Sequence, residues 1–261
     1  MPLEEMLILT TPPDRLAQAR QTGLTLGHMA YRVGRGPHLF RSGNPTPLRG
    51  GLMVLDVRGF DGRGEPGPLC QQILRECSAR GFSGVICSFE GRPMPLLERV
   101  VTALDDLLPR KKLSLHVPEL YGLCTNNAGV LISSALSGGS LVQRLEEAAL
   151  RFGGPERLTL LVERVAEDFF LPSPNGSGRP LSREELARQL QERAPSVFFS
   201  NDLCARYFTY MSRENGAHFV LFDDAVSIRK KLQTAHRLGI PKAVLSLPEA
   251  DDLLARLLDR E

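Results

Sequence analysis

Short apolar runs rich in valine, isoleucine and leucine recur along the whole chain. Most of them lack strict alternation of apolar and polar positions, as expected of parallel strands that are covered by packed side chains on both faces. Eight runs are candidate barrel strands, at residues 7–10, 24–30, 52–57, 84–89, 113–117, 130–135, 158–165 and 243–247.

Helical patterns lie between many of these runs. The clearest extends from Leu96 to Leu108 with apolar residues at three-and-four spacing, and Pro109 follows as a stop signal. Ser182 and Glu185 form a capping box that predicts the start of another helix. The alternation of strands and helices predicts an α/β fold, a (β/α)8 TIM barrel.

Two connections, residues 31–51 and 118–129, are too short or too rich in turn residues for a full helix, so we expect a trimmed barrel. Asn215-Gly216 between apolar runs predicts a β-hairpin inserted before the last strand, at about residues 205–222. Residues 172–180 resemble a loop rather than a domain linker. We therefore expect residues 1–261 to form a single TIM-barrel domain.

Composition excludes several classes of function. The net charge of +2 gives no support to nucleic-acid binding, and the five scattered cysteines lack the spacing of a zinc site. No metal or cofactor is expected. No apolar run approaches the roughly 20 residues that span a bilayer. The start of the chain also lacks the basic and long apolar segments of a secretory signal, so the sequence favours a cytoplasmic protein.

Two segments carry a family resemblance. Residues 81–90, Gly-Phe-Ser-Gly-Val-Ile-Cys-Ser-Phe-Glu, read as a buried strand that ends at one carboxylate. Residues 207–232, with Tyr-Phe-Thr-Tyr, Glu-Asn-Gly and Phe-Asp-Asp, continue to Leu238-Gly239-Ile240. Together they resemble the family 18 glycoside hydrolases, especially the bacterial spore cortex and cell-wall branch. The likeness covers roughly residues 50–250 and implies a TIM barrel that works at its strand C-termini.

The resemblance also implies roles for individual residues. Glu90 falls where the family has the general acid that protonates the leaving oxygen, while the acetamido group of the sugar attacks the anomeric carbon. Ser88 stands at the position of the aspartate that stabilises this acetamido group, and Ile86 and Ser83 replace two earlier aspartates. A hydroxyl forms hydrogen bonds but cannot offset developing positive charge as a carboxylate does.

Other parts of the family site are also replaced. Ser134 and Ala135 fall where a Tyr-Asp pair is usual on the sixth strand, and Ser246 falls near the place of a tryptophan in a chain that has none. Additional candidate binding residues near strand ends are Glu119, Tyr121, Glu163 and Asp223. Glu163 also has a structural interpretation as an ion pair with Arg164 or a neighbour, and Asp224 as a cap on the following helix.

The leading hypothesis is a catalytically degenerate family 18-like barrel, a pseudoenzyme. It would bind a glycan containing N-acetylglucosamine, from peptidoglycan or spore cortex, or act as an assembly protein with a protein partner. The alternative is an active glycosidase that cleaves N-acetylglucosamine polymers with Glu90 as general acid. A carboxylate pair such as Glu90 with Glu119 or Glu163 would permit a different hydrolytic mechanism. An association with spores follows from the same resemblance.

Overall fold

The computed structural model of the protein describes residues 3–42, 48–172, 177–212 and 216–258. The strands in this part of the chain are, in order, β1 (Leu7–Thr11), β2 (Thr25–Gly34), β3 (His38–Arg41), β4 (Leu52–Asp56), β5 (Gly84–Ser88), β6 (Ser114–Pro118), β7 (Gly129–Ser133), β8 (Leu158–Val162), β9 (Ala166–Leu171), β10 (Arg179–Pro180), β11 (Phe198–Ser200), β12 (Ala205–Ser212), β13 (Gly216–Phe222) and β14 (Lys242–Ser246).

The helices in the same ranges pack against the strands or lie near the end of the chain. They are α1 (Leu3–Met6), α2 (Leu16–Gln21), α3 (Pro66–Arg80), α4 (Pro95–Leu107), α5 (Leu141–Phe152), α6 (Arg183–Arg193), α7 (Ala225–Arg237), α8 (Leu247–Ala250) and α9 (Leu254–Leu257). None of these helices is long and apolar enough to cross a membrane.

The main sheet closes into a barrel of parallel strands. Its order is β1-β14-β8-β7-β6-β5-β4-β2, and β1 pairs in parallel with both β14 and β2. All eight predicted strands are therefore found, each within a few residues of its expected limits. The prediction of a (β/α)8 barrel is confirmed.

The barrel is trimmed at the two predicted connections. Between β2 and β4 the described residues contain β3, which pairs antiparallel with the second half of β2. Between β6 and β7 the helix is reduced to a short 3-10 helix, Glu119–Cys124. The β2–β3 hairpin was not predicted, because its residues lack the apolar run by which the other strands were recognised.

Apolar side chains fill the barrel and separate it from its helices. The interior holds a small cluster of Ile8, Leu52, Val54, Ile86, Leu131 and Val244. Alternate residues of the same strands point outward into two larger clusters beneath the helices, as shown by Met53, Leu55, Val85 and Cys87. This alternation fixes which strand-end residues face the mouth of the barrel.

The insertion before the last barrel strand is larger than the predicted hairpin. The hairpin itself is present as β12 and β13, although residues 213–215 of its turn lie outside the described residues. It belongs to a five-stranded antiparallel sheet of order β10-β9-β13-β12-β11. This second sheet carries α6 on one face, where Leu186 packs against Phe208 and Val220.

The capping box predicted at the start of α6 is confirmed. The Ser182 side chain accepts a hydrogen bond from the Glu185 N–H, and the Glu185 side chain accepts one from the Ser182 N–H. Of the predicted loop at residues 172–180, residues 173–176 lie outside the described ranges, and Arg179–Pro180 form the short edge strand β10.

Candidate functional site

A cleft of about 420 Å³ opens where the parallel barrel strands end. Apolar residues of the barrel interior, including Val54 and Ile86, form its floor. The polar residues around its mouth are Thr10, Ser88, Glu90, Glu119, Ser133, Glu163, Ser246 and Glu249. The cleft therefore lies at the end of the barrel where such folds place their working residues.

Glu90 reaches the cleft because of the alternation along β5. Ile86 points into the barrel interior, Ser88 and Glu90 line the cleft, and Cys87 and Phe89 are buried under the helices. Glu90 is exposed and forms no ion pair within the described ranges. The hydrogen bond to Asp56 raises the pKa of Arg58, and the Glu90 charge adds to the rise.

Glu163 is a second carboxylate in the same cleft. It accepts a hydrogen bond from the Ser133 hydroxyl, and its backbone N–H donates to the Ser134 hydroxyl over 3.3 Å. Ser134 is fully buried, so Ser133 rather than the predicted Ser134 faces the cleft. The difference is one residue, and in a strand that places the side chain on the opposite face.

Glu119 also lines the cleft, but cations already hold it. Its carboxylate accepts a hydrogen bond from Arg144 of α5 and lies 3.7 Å from a guanidinium nitrogen of Arg151. About a quarter of its side chain is exposed. The two arginines balance its charge, which makes Glu119 a weaker acid–base candidate than Glu90 or Glu163.

Tyr121 lies outside the cleft. It is 1% exposed, and its hydroxyl accepts a hydrogen bond from the Met94 N–H over 3.3 Å. Its ring packs edge-on against Phe89 with centroids 5.9 Å apart. Burial raises the pKa of the Tyr121 hydroxyl. Tyr121 therefore supports the segment behind Glu90 and cannot stack on a bound sugar, because no ring face reaches solvent.

Asp223 is likewise buried away from the cleft. Its carboxylate lies 2.6 Å from the Lys231 ammonium and accepts hydrogen bonds from the Val165 N–H and the Ser227 hydroxyl. The neighbouring Asp224 caps α7 through the Ser227 N–H. The prediction that Asp223 binds ligand conflicts with this placement, because all of its partners belong to the protein.

The structure adds two carboxylates that the sequence analysis missed. Asp56 ends β4, and Glu249 lies in the short helix α8 that directly follows β14. Burial raises the pKa of Glu249, and the Glu163 charge adds to the rise. Because Glu249 remains solvent-exposed overall, water weakens this effect. The signal that could have identified both residues is a carboxylate at or just after an apolar strand run.

A second cavity of about 640 Å³ adjoins the first. The two share Met29, Val54, Ser88 and Glu90, so they form one continuous cleft. The β2–β3 hairpin forms the far wall of the second cavity. Its side chains there include Arg32 and Phe40.

The described residues contain no group of three or more His, Cys, Asp or Glu side chains arranged to hold a metal ion. His116 points into the barrel away from the mouth and shares a hydrogen bond of 2.9 Å with Thr159. His28 is buried against Phe82.

These features define the class of fold: a closed (β/α)8 barrel with a β-rich insertion before its last strand and an open cleft at the strand C-termini. Solved structures of family 18 glycoside hydrolases and spore cortex-lytic enzymes share it. A chitinase from Chromobacterium violaceum superposes with a TM-score of 0.68 at 14% identity, covering 98% of both chains.

Two further structures extend the comparison. The Bacillus megaterium spore cortex-lytic enzyme SleL matches with a TM-score of 0.63 at 15% identity, over 92% of this chain and 70% of its own. A GH18 chitinase from Cycas revoluta, solved in complex with (GlcNAc)3, gives 0.62 at 12% identity, over 98% and 99%. No family model and no curated protein sequence matches the chain. The protein thus has the glycoside hydrolase family 18-like fold that its two motifs predicted.

Proposed function

We propose that this protein binds a glycan containing N-acetylglucosamine in the barrel-mouth cleft and lacks the ordinary substrate-assisted hydrolysis of the family. The proposal rests on an open cleft lined by polar residues next to a strand, β5, that lacks the aspartates of the family motif. Ser88 and Glu90 line the cleft, whereas Ile86 packs in the apolar interior.

The residues that replace the family's aspartates in β5 should lower the rate of hydrolysis by a factor that follows from typical catalytic contributions. A positioned general acid is typically worth roughly 10² to 10⁴ in rate, and Glu90 can supply this. An electrostatic stabiliser of the developing charge is typically worth roughly 10² to 10³, and the Ser88 hydroxyl cannot replace it. We therefore expect turnover at least about 100-fold below that of an enzyme with the intact motif.

The floor of the cleft reinforces this loss. The layer below Ser88 consists of Ile86 with Ile8, Val54, Leu131 and Val244, all of them buried. None of these side chains carries a charge, so the charge network that normally tunes the acid is absent from this layer. The interior supports the barrel and leaves only the rim residues for ligand contact.

A second candidate function is hydrolysis with Glu90 as general acid. It is favoured by Glu163, a second carboxylate that lines the same cleft. A carboxylate pair across a cleft can act as acid and base or as acid and nucleophile. This mechanism needs neither Ser88 nor an acetamido group on the substrate.

Fold neighbours that include a spore cortex-lytic enzyme support peptidoglycan or spore cortex as the source of the glycan. Chitin-type oligomers are the simplest probes of the same sugar.

The test combines binding and turnover. N-acetylglucosamine oligomers and purified peptidoglycan are titrated against wild type and Glu90→Gln, with Glu146→Gln on the exposed face of α5 as the matched control. Binding by wild type without turnover supports the proposal. Turnover that disappears in Glu90→Gln but persists in Glu146→Gln establishes the second candidate instead. If no glycan binds, both fail, and the search turns to protein partners.

A further inference from the structure

On one side of the cleft, the β2–β3 hairpin contributes Arg32 and Phe40, whereas the polar residues of the barrel mouth are carboxylates and hydroxyls. β2 has ten residues, whereas β4 and β5 have five each. Arg32 of β2 pairs in register with Asp56, the last residue of β4, so the rest of the hairpin extends past the rim. A wall therefore stands beside the strand end that carries Glu90.

Arg32 and Phe40 form the exposed surface of this wall. They are register partners in the hairpin and both line the cavity. The guanidinium carbon of Arg32 lies 5.8 Å from the centroid of the Phe40 ring, and Phe40 is 46% exposed. The guanidinium lies over part of the ring, and the exposed remainder of the ring together with the guanidinium can contact a sugar ring and a charged substituent.

The charges on this side of the cleft select the kind of substituent. Arg58 is already bound to Asp56, and Arg41 lies 3.6 Å from Glu76 of α3. In the ranges that the structure describes, Arg32 has no carboxylate within ion-pair distance. Arg32 can therefore pair with one negative charge on a ligand. Glu90, which lines the same cavity, disfavours a second.

We propose that the hairpin wall is a subsite for an acidic sugar, whose ring stacks on Phe40 and whose single carboxylate pairs with Arg32. The inference rests on the proposed glycan-binding function and names the substrate class. It also orients the ligand, because the carboxylate lies at the hairpin and the neutral hydroxyl or acetamido groups face Glu90. A plain N-acetylglucosamine polymer would leave Arg32 without an anionic partner, with only the Phe40 ring beside it.

The test uses three disaccharides that differ only at this substituent. They are a muramic acid disaccharide with a free lactyl carboxylate, its methyl ester, and the unsubstituted N-acetylglucosamine dimer. Binding is measured by calorimetry with wild type, Arg32→Gln and Arg35→Gln. Arg35 is an exposed arginine at the tip of the same hairpin, outside the cavity lining, and serves as the matched control.

We expect the free acid to bind wild type about fivefold more tightly than the ester, since a partly exposed charge pair contributes up to about this factor. The preference should disappear in Arg32→Gln, persist in Arg35→Gln and shrink at raised salt. Equal binding of acid and ester by wild type, or a preference that survives Arg32→Gln, overturns the subsite and leaves glycan binding intact. Failure of all three disaccharides to bind overturns the proposed function itself.

Discussion

The ammonium nitrogen of Lys231 lies 2.6 Å from a carboxylate oxygen of Asp223, and both side chains are essentially inaccessible to solvent. Asp223 directly follows β13, and its carboxylate also accepts a hydrogen bond from the N–H of Val165, which directly precedes β9. Lys231 belongs to α7, which leads into the last barrel strand. The buried pair therefore joins the inserted sheet to the barrel.

Removal of one partner should be strongly destabilising. In Lys231→Met the Asp223 carboxylate stays buried without its cation, and such losses typically cost about 3–5 kcal/mol. Urea unfolding of the variant should show this fall in the free energy of unfolding. Lys230→Met, at the partly exposed neighbouring position on α7, should change it by less than about 0.5 kcal/mol. Similar stability of the two variants would contradict a structural role for the pair.

The apolar interior below the cleft should reject a restored carboxylate. Ile86→Asp places a polar group among Ile8, Leu52 and Val54, and we expect a loss of about 3–5 kcal/mol in the free energy of unfolding. Ile86→Val, which removes one methylene from the same site, should cost only about 0.5–1.5 kcal/mol. Equal stability of Ile86→Asp and wild type would show that this layer tolerates the charge network of the family.

Stability should fall on acidification through His116. Burial lowers the pKa of His116 to about 4, below the roughly 6.5 of an unfolded chain. Between these values the unfolded state binds more protons, so the free energy of unfolding decreases as the pH falls from about 6.5 towards 4. The loss from this residue should reach as much as about 3 kcal/mol. His28, whose pKa burial also lowers, acts in the same direction.

Urea titrations between about pH 4.5 and 7.5 measure this slope. His116→Gln keeps a polar group beside Thr159 but does not titrate, so its profile should be flatter than that of wild type. His38→Gln, at an exposed position of β3, is the control and should keep the wild-type slope. A profile of His116→Gln as steep as that of wild type would rule out His116 as a source of the pH dependence.

The Phe40 ring should respond to a single methyl group on the neighbouring strand. A Cβ at Gly34 would lie 2.3 Å from a ring carbon of Phe40, so Gly34→Ala must push the ring aside. We expect weaker binding of the acidic disaccharide, by about fivefold, as in Phe40→Ala, because stacking on this ring is lost. Thermal unfolding should change little, since the ring is half exposed. Wild-type affinity in both variants would show that the ligand does not use the ring.

The barrel and the position of Glu90 follow from local sequence. Parallel strands that are covered on both faces are rich in valine, isoleucine and leucine, so each barrel strand is recognisable in the sequence as an apolar run. Glu90 was predicted at the cleft because it directly follows such a run. The capping box at Ser182 depends on residues three apart, and it too was predicted correctly.

Tertiary contacts decided the rest. Ser133 rather than Ser134 faces the cleft because the register of β7 in the closed sheet assigns alternate residues to opposite faces. The sequence predicts Tyr121 and Asp223 at the rim, but both are buried in the folded chain. Their partners there are the Met94 N–H and the Lys231 ammonium, which lie on other segments.

The inserted sheet illustrates the same physical limit. β9 pairs with β13, where Phe169 lies opposite Phe219 from 50 residues further along the chain. The sequence by itself determined the barrel, the strand-end acid and the hairpin, because each is specified by residues close together. Only the folded chain decided the five-stranded insertion, the hairpin wall and the partners of each carboxylate, because those depend on pairings between distant segments.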